Sequence, residues 1–396
     1  MCPPSACFHQ FSLVNYFHST RRPTWFILCR FSHRGFLLDT ARYFYPTSFI
    51  EHILDAMSYS KLNVLHWHIT DAESFPPEIS AWPHLSGEGA FPPKSFYCPE
   101  DKCTFSKDDI AGVVEYARNL GIRVILEMDV PGHTRSWGLG YPGITAEGCH
   151  SEHGYNIDSV PLDPSNRTTM QVVQAVYDEL TGAQGPVTDQ FVHAGGDEVI
   201  LRCWELVSHI AQWLHTQGLT TDEAEAQIVR SVQDMILANG KTPINWADVF
   251  LSKSSNRHPN TVLDVWQTSP SLWAIVSSAP YRAILSAGWY LSMEPSKPSH
   301  FAPFYAIEPF SGGDWTPDEK ARVIGGEVSK WGCAVNCPDP TTKGMFDGMV
   351  WPVAAAPAER LWAPMDRNNA TAAFGRYSAH RDRLVARGVK ASKPLM

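Results

Sequence analysis

Two carboxylates stand in immediate succession, Asp197 and Glu198, at the end of an apolar run that reads FVHAGGDEV over residues 191–199. A pair of carboxyl groups can cleave a glycosidic bond, one as general acid and the other as nucleophile or base, when they stand about 5 to 9.5 Å apart across the sugar. Successive residues of an extended chain point to opposite faces, so these two cannot easily straddle one ring. If Glu198 is the acid, we expect Asp197 to orient a group of the substrate or to stabilise a charge on it.

A helix start is the alternative interpretation of the same pair, with Asp197 as the N-cap and Glu198 in the first turn. That interpretation leaves the two preceding glycines, Gly195 and Gly196, unexplained. Glycine allows a ligand to approach the backbone closely, and the two glycines therefore favour a binding site.

The segment HWHITD (66–71) carries a His-x-His pair of the kind that binds zinc in some metal-dependent amidohydrolases. Such a site needs further histidine ligands from later strands, and here two later strands end in tryptophan. We therefore interpret His66 and His68 as histidines that are satisfied by hydrogen bonds, and we expect no metal. Asp71 should be more exposed because of its loop position, where it can contact the site or hold His133.

Eight short apolar runs alternate with helical patterns, as in a protein whose parallel strands are covered on both faces. The runs are 35–40, 63–70, 123–130, 190–198, 242–249, 261–267, 282–290 and 323–332. Clear helical patterns occupy 46–62, 106–121 and 371–388. Ser106 is placed as the N-cap of the second. This alternation predicts a (β/α)8 barrel, with a doubly wound sheet as the alternative. The segment 356–364 also reads as a helix, with Glu359 and Arg360 as an ion pair.

Polar and aromatic residues gather at the carboxyl ends of these strands, where barrels of this kind carry their chemistry. In chain order they are Arg42, His66, His68, Asp71, Asp129, His133, Asp197, Glu198, Trp246, Asp248, Trp266, Trp289, Tyr290 and Trp331. Core packing alone would scatter aromatic residues over both strand ends. The pattern predicts a sugar-sized aromatic bowl with acids in its floor. Within it, Arg42 is either a donor to sugar hydroxyls or a structural partner of Asp39, and the Tyr290 hydroxyl either binds ligand or is satisfied by water.

Composition excludes several other classes of function. The net charge of −9 is spread along 396 residues and no Lys/Arg cluster is present, which argues against nucleic acid or anionic lipid as a partner. No apolar run reaches the length of a membrane span. The first 34 residues make a poor secretory signal, but the close cysteine pairs and the sequons at 166–168 and 369–371 favour an oxidising, secretory context.

The chain resembles the β-N-acetylhexosaminidases of glycoside hydrolase family 20, and is most similar to the eukaryotic lysosomal and secreted members. The resemblance runs from about residue 34 to about 390. It is carried, in family order, by RGFLLDTARYFYP (34–46), LDAMSYSKLNVLHWHITDAESFP (54–76), GIRVILEMDVPGHTRSWG (121–138), HAGGDEV (193–199), LSAGWYL (285–291) and AERLW (358–362).

The resemblance implies a retaining, substrate-assisted reaction on terminal N-acetylglucosamine or N-acetylgalactosamine, with no metal and no cofactor. Glu198 matches the general acid/base, Asp197 the partner of the acetamide N–H, and Tyr290 the donor to the acetamide oxygen. Other matched positions are Arg42 for the sugar's 3- and 4-hydroxyls, Trp246, Trp266 and Trp331 for the acetamide pocket and sugar platform, and Asp71 and His133 for a support network behind the acid. From its place on the fifth strand, Asp248 is a further candidate for substrate binding. A Cys149–Cys203 disulfide, a homodimer and a lysosomal, vacuolar or secreted location are implied as well.

The sequence also departs from the family pattern. We expect residues 1–33 to be an atypical segment in place of the family's small α+β domain, and residues 34–390 to form the catalytic barrel. Cys333 stands where the family commonly has a glutamate for the outer sugar hydroxyls, and Ser292 and Met293 replace polar positions. The alternative hypothesis is therefore a sugar-binding protein of the same fold with impaired catalysis.

Overall fold

The computed structural model describes residues 29–149, 160–252, 257–292, 299–332 and 343–396. Within this part of the chain, eight parallel strands close into a barrel in chain order, each pairing with the next and the last with the first. They are β1 (His33–Asp39), β2 (Val64–Thr70), β3 (Arg123–Met128), β4 (Phe191–His193), β5 (Thr242–Trp246), β6 (Val262–Val265), β7 (Arg282–Leu285) and β8 (Val323–Lys330). The barrel prediction is confirmed. The doubly wound alternative is wrong, because such a sheet would have two open edges.

Helices surround the barrel. They are α1 (Thr47–Tyr59), α2 (His84–Gly89), α3 (Lys107–Asn119), α4 (Arg135–Gly140), α5 (Arg167–Thr181), α6 (Arg202–Leu206), α7 (Ser208–Gln217), α8 (Thr221–Ala238), α9 (Asp248–Leu251), α10 (Leu272–Ser278), α11 (Phe301–Ala306), α12 (Pro317–Arg322), α13 (Lys343–Val350), α14 (Ala355–Trp362) and α15 (Ala370–Ala386). Among them, none combines the length and apolarity that crossing a membrane requires.

Local sequence signals set several helix boundaries. Ser106 caps α3 as predicted: its hydroxyl accepts a hydrogen bond from the Asp109 amide, and the Asp109 carboxylate accepts one from the Ser106 amide. Within α14 the expected Glu359–Arg360 ion pair is wrong. Arg360 reaches Glu308 instead, while Glu359 pairs with Arg376 of α15, since neighbouring residues of a helix do not face each other.

The interior of the barrel has an apolar layer near the amino-terminal strand ends. It consists of Val64, Ile125, Phe191, Ile244, Val262 and Ile284, each among the first three residues of its strand. A separate, larger apolar core fills the space between strands and helices. Disulfides join Cys98 to Cys103 and Cys149 to Cys203, and Cys333, Cys337 and Met293 lie outside the described residues.

Gly35 on β1 provides the space for a charged residue inside the barrel. It pairs with Glu327 of β8, and a Cβ atom at Gly35 would lie 2.5 Å from the Cβ of Glu327 and 2.8 Å from Nε2 of His33. Any side chain at this position would displace both polar groups from the barrel interior.

We predict that Gly35→Ala lowers the free energy of unfolding by about 1–3 kcal/mol, because overpacking a tight interior costs that much. Urea unfolding followed by circular dichroism measures it. Gly112→Ala is the matched control: Gly112 lies within α3 with nothing within 4 Å of the added atom. The control should stabilise the helix by about 0.5–1 kcal/mol. Equal effects of the two substitutions would contradict the packing argument.

Candidate active site

The structure brings all ten of the catalytic and substrate-binding residues predicted from sequence into one cluster at the carboxyl ends of the strands. Contacts join them in two branches. One branch contains Arg42, Asp71, His133, Asp197 and Glu198, and the other Trp246, Trp331, Tyr290, Trp266 and Asp248. The Arg42 guanidinium connects the branches, because it lies 5.2 Å from the centre of the Trp331 ring.

The loop after β4 has a backbone that only certain residues tolerate. Gly195, Gly196 and Glu198 have φ angles of 61°, 97° and 48°. A Cβ atom at Gly195 would lie 1.7 Å from Oδ1 of Asp129, and the Gly196 amide donates a 2.8 Å hydrogen bond to that oxygen. Gly195 therefore makes room for Asp129, and Gly196, where a Cβ atom would lie 2.6 Å from Cγ1 of Val249, makes room for Val249. Both glycines are needed for the protein's own side chains, a role that the sequence interpretation did not include.

The helix-start interpretation of Asp197 and Glu198 is wrong. The next helix, α6, begins at Arg202, and Leu201 occupies its N-cap position. The strained turn through Gly195 and Gly196 instead presents the two carboxylates in different surroundings: the Asp197 side chain is 14% exposed and the Glu198 side chain 49%.

These surroundings move the pKa values of the two carboxyl groups in opposite directions. Burial raises the pKa of Asp197 to about 6, with Asp248 adding to the effect. The polar contact with His133 lowers the pKa of Glu198, against a smaller opposing effect of burial. Nε2 of His133 lies 3.6 Å from Oε2 of Glu198 and 4.0 Å from Oδ2 of Asp197. Oδ1 of Asp197 is buried and has no hydrogen-bond partner among the described residues, so an acceptor stands ready for a ligand N–H.

Asp71 is fully buried, although its loop position predicted exposure. Its Oδ1 lies 3.1 Å from Nδ1 of His133, and its Oδ2 lies 2.7 Å from Nε2 of His68 and 2.8 Å from the Arg42 guanidinium. Burial would raise the pKa of Asp71, but Arg42 and His133 hold it well below its usual range. Asp71 therefore supports His133 from behind, and with His133 also buried neither side chain offers a broad surface to a ligand.

Of the two roles predicted for Arg42, structural partner of Asp39 and donor to sugar hydroxyls, its contacts match the first. It donates a 3.0 Å hydrogen bond to Asp39, a pairing that matches the sequence hypothesis, and it also binds Asp71. Its side chain is 13% exposed, and its Nε lies 3.6 Å from Glu73.

The aromatic residues form a wall whose members differ in depth. Trp246 is buried and donates through Nε1 to Glu127, at 2.8 Å. Trp266, Tyr290 and Trp331 are half-buried, and Nε1 of Trp266 donates a 2.6 Å hydrogen bond to Asp248. Burial holds the pKa of Tyr290 well above its usual range, so its hydroxyl stays a donor.

Sequence reasoning missed a layer of charge in the barrel interior, beneath this wall. Glu127 lies 2.6 Å from Nδ1 of His68 and 2.8 Å from Nε2 of His66, and its other oxygen lies 3.0 Å from Nδ1 of His193. Glu327 lies 2.8 Å from Nδ1 of His66. The available signal was a glutamate inside each of two strand-like runs, RVILEMDV and VIGGEVSKWG.

His66, His193 and Asp264 offer ligand atoms close enough together for a metal ion. However, both ring nitrogens of His66 face carboxylate oxygens at 2.8 Å. Nδ1 hydrogen-bonds to Glu327, whereas Nε2 has no hydrogen-bond partner among the described residues. Against the effect of burial, the two carboxylates raise the pKa of this ring to about 10, and a doubly protonated ring has no lone pair for a metal. This geometry gives the amidohydrolase hypothesis no support. His68 is satisfied at both ring nitrogens, as interpreted from sequence, whereas His66 is satisfied at Nδ1 alone.

Comparison with known proteins adds independent findings. The model of "Glycosyl hydrolase family 20, catalytic domain" matches residues 31–365. The chain is 37% identical over 371 residues to β-hexosaminidase subunit beta of Homo sapiens, covering 92% of this chain and 63% of that protein. It is 36% identical over 370 residues to β-hexosaminidase subunit alpha of Mus musculus, covering 91% of this chain and 66% of that protein. The chain thus spans a little under two thirds of the length of these relatives.

Solved structures show the same fold. A chitobiase of Flavobacterium johnsoniae has a TM-score of 0.77 at 27% identity, with 91% of this chain and 52% of that chain covered. An exo-β-N-acetylglucosaminidase of Vibrio harveyi in complex with N-acetylglucosamine has a TM-score of 0.81 at 22% identity, with 93% and 60% covered, which is a likeness in fold alone.

The buried charges predict an acidic optimum of stability. The carboxylates around His66 raise its pKa from 6.5 to about 10 against the effect of burial. Its contribution to the free energy of unfolding is therefore complete below pH 6.5 and is lost as the pH rises toward 10. The pKa of Glu127 lies well below its ordinary 4.5, since three histidines outweigh its burial. Its contribution is present above pH 4.5 and is lost on acidification. Urea unfolding at pH 3.5, 5.5, 7.5 and 9 should therefore give the highest free energy near pH 5.5.

His52→Asn is the control for this pH dependence, because His52 pairs with Asp347 outside the barrel interior. That variant should keep the decline above pH 6.5, with a slope of about 1.4 kcal/mol per pH unit for each histidine that stays charged only in the folded protein. A free energy of unfolding that rises between pH 6.5 and 9 would contradict the assignment of buried, charged histidines.

Proposed function

The chain belongs to glycosyl hydrolase family 20, and from this membership we propose that it is an exo-acting β-N-acetylhexosaminidase. Its substrates would be glycans or glycolipids that end in non-reducing N-acetylglucosamine or N-acetylgalactosamine. The main support is the pairing of a largely buried Asp197, whose Oδ1 lacks a partner among the described residues, with a neighbouring Glu198 that is half exposed. One carboxylate can bind an amide N–H while the other exchanges a proton.

The proposed reaction is retaining and substrate-assisted. The carbonyl oxygen of the substrate's 2-acetamido group attacks the anomeric carbon, while the glycosidic oxygen leaves with the proton of Glu198. Asp197 accepts the acetamide N–H and stabilises the positive charge of the resulting oxazolinium ion. Glu198, now ionised, removes a proton from water as that water attacks the anomeric carbon and opens the ring. Glu198 thereby returns to its protonated form.

The wall residues suit the remaining parts of the sugar. Tyr290 would donate a hydrogen bond from its hydroxyl to the acetamide oxygen. Trp246, Trp266 and Trp331 would enclose the acetamide methyl and the sugar face. Arg42 and Asp248, both partly exposed, would bind outer hydroxyl groups. Asp71 and His133 would act through Glu198, in view of their burial.

We further propose the division of the chain into residues 1–33 and a catalytic barrel at 34–390, a homodimer, and a lysosomal, vacuolar or secreted location. The barrel elements from β1 to α15 support the second segment. The disulfides Cys98–Cys103 and Cys149–Cys203 support an oxidising compartment.

We predict that Glu198→Gln lowers kcat about 10²-fold or more on chitobiose, because the amide cannot protonate the leaving oxygen. The loss should be smaller on a nitrophenyl N-acetyl-β-glucosaminide, whose leaving group departs without a proton. Steady-state rates at pH 4 to 7 measure both. The difference between the two substrates identifies Glu198 as the acid.

Glu115→Gln is the control for this substitution, because Glu115 of α3 is similarly exposed, at 53%, and lies outside the site. It should retain wild-type rates. Folded wild-type protein that binds N-acetylglucosamine but hydrolyses neither substrate would contradict the proposal and favour the sugar-binding alternative.

We predict that wild-type protein hydrolyses the N-acetyl-β-glucosaminide but not the matching β-glucoside, because only the former carries the attacking acetamide. Asp197→Asn should lower kcat about 10²-fold, through loss of the charge that faces the oxazolinium ion.

Exhaustive treatment of the wild-type protein with a chelator should leave its hydrolytic rate unchanged. Stoichiometric zinc together with chelator-sensitive turnover would instead support an amidohydrolase-type mechanism.

A further inference from the structure

Acids and histidines alternate in an unbroken row of contacts from the middle of the barrel to Glu198. In order, the row contains Glu327, His66, Glu127, His68, Asp71 and His133, which we name the buried ion-pair chain. The contacts measure 2.8, 2.8, 2.6, 2.7 and 3.1 Å. The last member, His133, faces Glu198 at 3.6 Å. Every member of the chain is buried.

Hydrogen-bond chemistry fixes the protonation of the His68 ring, whose Nδ1 bonds to Glu127 and whose Nε2 bonds to Asp71. An ionised carboxylate accepts and cannot donate, so His68 must donate from both nitrogens and carry a positive charge. His66 bonds to Glu327 through Nδ1, whereas its Nε2 lies 2.8 Å from Glu127 without hydrogen-bond geometry, so that contact is electrostatic. A neutral His68 ring would leave one carboxylate facing a lone pair inside the barrel, at a large cost in free energy.

The direction of each pKa agrees with this assignment. Burial alone would lower the pKa of His68, but Glu127 and Asp71 hold it well above its ordinary value. The same balance raises the pKa of His133, where Asp71 and Asp129 outweigh burial. At the far end, burial lowers the pKa of His33, whose Nε2 lies 3.2 Å from Glu327. The charged part of the row therefore ends at Glu327.

The buried ion-pair chain determines how the His133 ring is oriented toward the site. Asp71 stays ionised between Arg42 and His68, and as an acceptor it takes the Nδ1–H of His133. The ring is thereby oriented with Nε2 toward Glu198. Without His68, Asp71 would lose one of its positive neighbours inside the barrel, and only Arg42 and the Ala72 amide would hold its carboxylate beside His133.

We propose that His68 and Glu127 are positioning residues for Glu198, and that they act through Asp71 and His133. The catalytic part of this inference rests on the proposed function of Glu198 as the acid. Glu127 holds His68 in place from the β3 side, and His68 in turn holds Asp71 at the end of β2. Both residues are buried beneath the aromatic wall and act from there.

Other charged groups face the same residues and must be considered in any test. His193 and Trp246 face Glu127. Asp129 and Asp197 face His133, at 4.0 Å each. Burial raises the pKa of both carboxyl groups, well above the usual range for Asp129 and to about 6 for Asp197. Asp71, whose pKa is low, is therefore the carboxylate that stays ionised beside His133 at acidic pH.

His68→Asn tests the positioning role. The variant removes a buried positive charge, so the pKa of Glu198 should rise and the alkaline limb of kcat/KM should move to higher pH by roughly half to one unit. We expect kcat to fall about tenfold or more, with KM within about twofold of wild type, because no ligand contact is lost. His52→Asn, which removes a histidine from the His52–Asp347 pair outside the barrel interior, should leave both limbs in place.

Nitrogen NMR of the wild-type protein, with ¹⁵N-labelled histidine, tests the charge assignment without any turnover. The rings of His66 and His68, assigned from their variants, should show the resonances of doubly protonated imidazole throughout pH 5 to 8. A His68 ring that titrates near pH 6.5 would overturn the proposal. The proposal would also be overturned if the alkaline limb of the kcat/KM profile of His68→Asn did not shift, or shifted no more than that of the His52→Asn control.

His68→Gln is the second variant, should His68→Asn fail to fold, because its amide can still donate to Asp71. If both variants fail to fold while His52→Asn folds, the buried ion-pair chain is required for folding, and a positioning role is contradicted. Absence of wild-type turnover would overturn the proposed function, while the NMR measurement would still decide the charge of His68.

Discussion

The carboxylate of Glu127 is the group on which the rest of the site depends. It lies inside a closed barrel, fully buried, and contacts the rings of His66, His68 and His193 together with the indole of Trp246. An uncompensated charge at this depth would cost several kcal/mol. Glu127 and its partners come from four different strands, so the closure of the barrel and the neutralisation of this charge depend on each other. The same contacts fix the lower wall of the ligand space through Trp246 and the support of Glu198 through His68.

Backbone strain contributes a second constraint at the opposite side of the site. The turn through Gly195 and Gly196 leads to a positive φ at Glu198, a conformation that costs on the order of 1–3 kcal/mol in a residue with a side chain. Contacts with Asp129 hold the turn in place. The result is that two neighbouring carboxylates differ in exposure, and this difference supports the two separate roles that we propose for one sequence dipeptide.

These two constraints are linked through His133. Its ring lies between the buried ion-pair chain and the strained turn, with Asp71 on one side and Asp129, Asp197 and Glu198 on the other. This family 20 barrel therefore uses its interior as an electrostatic support, whereas the outer apolar core provides most of the burial. An apolar layer below, at the amino-terminal strand ends, separates this charge from solvent at the bottom of the barrel.

The sequence by itself determined the barrel, the order of its strands and the positions that meet at their carboxyl ends, because apolar runs and strand ends are local properties. It determined the start of α3 at Ser106 for the same reason. Only the tertiary structure decided that Asp71 is buried, that Gly195 makes room for Asp129, and that Arg360 pairs with Glu308. It alone revealed that Glu127 and Glu327, 200 residues apart in sequence, share one histidine. Which face of a strand turns inward, and how far neighbouring strands are staggered, depends on the closure of the whole barrel. Contacts across its interior are therefore not encoded in any local pattern.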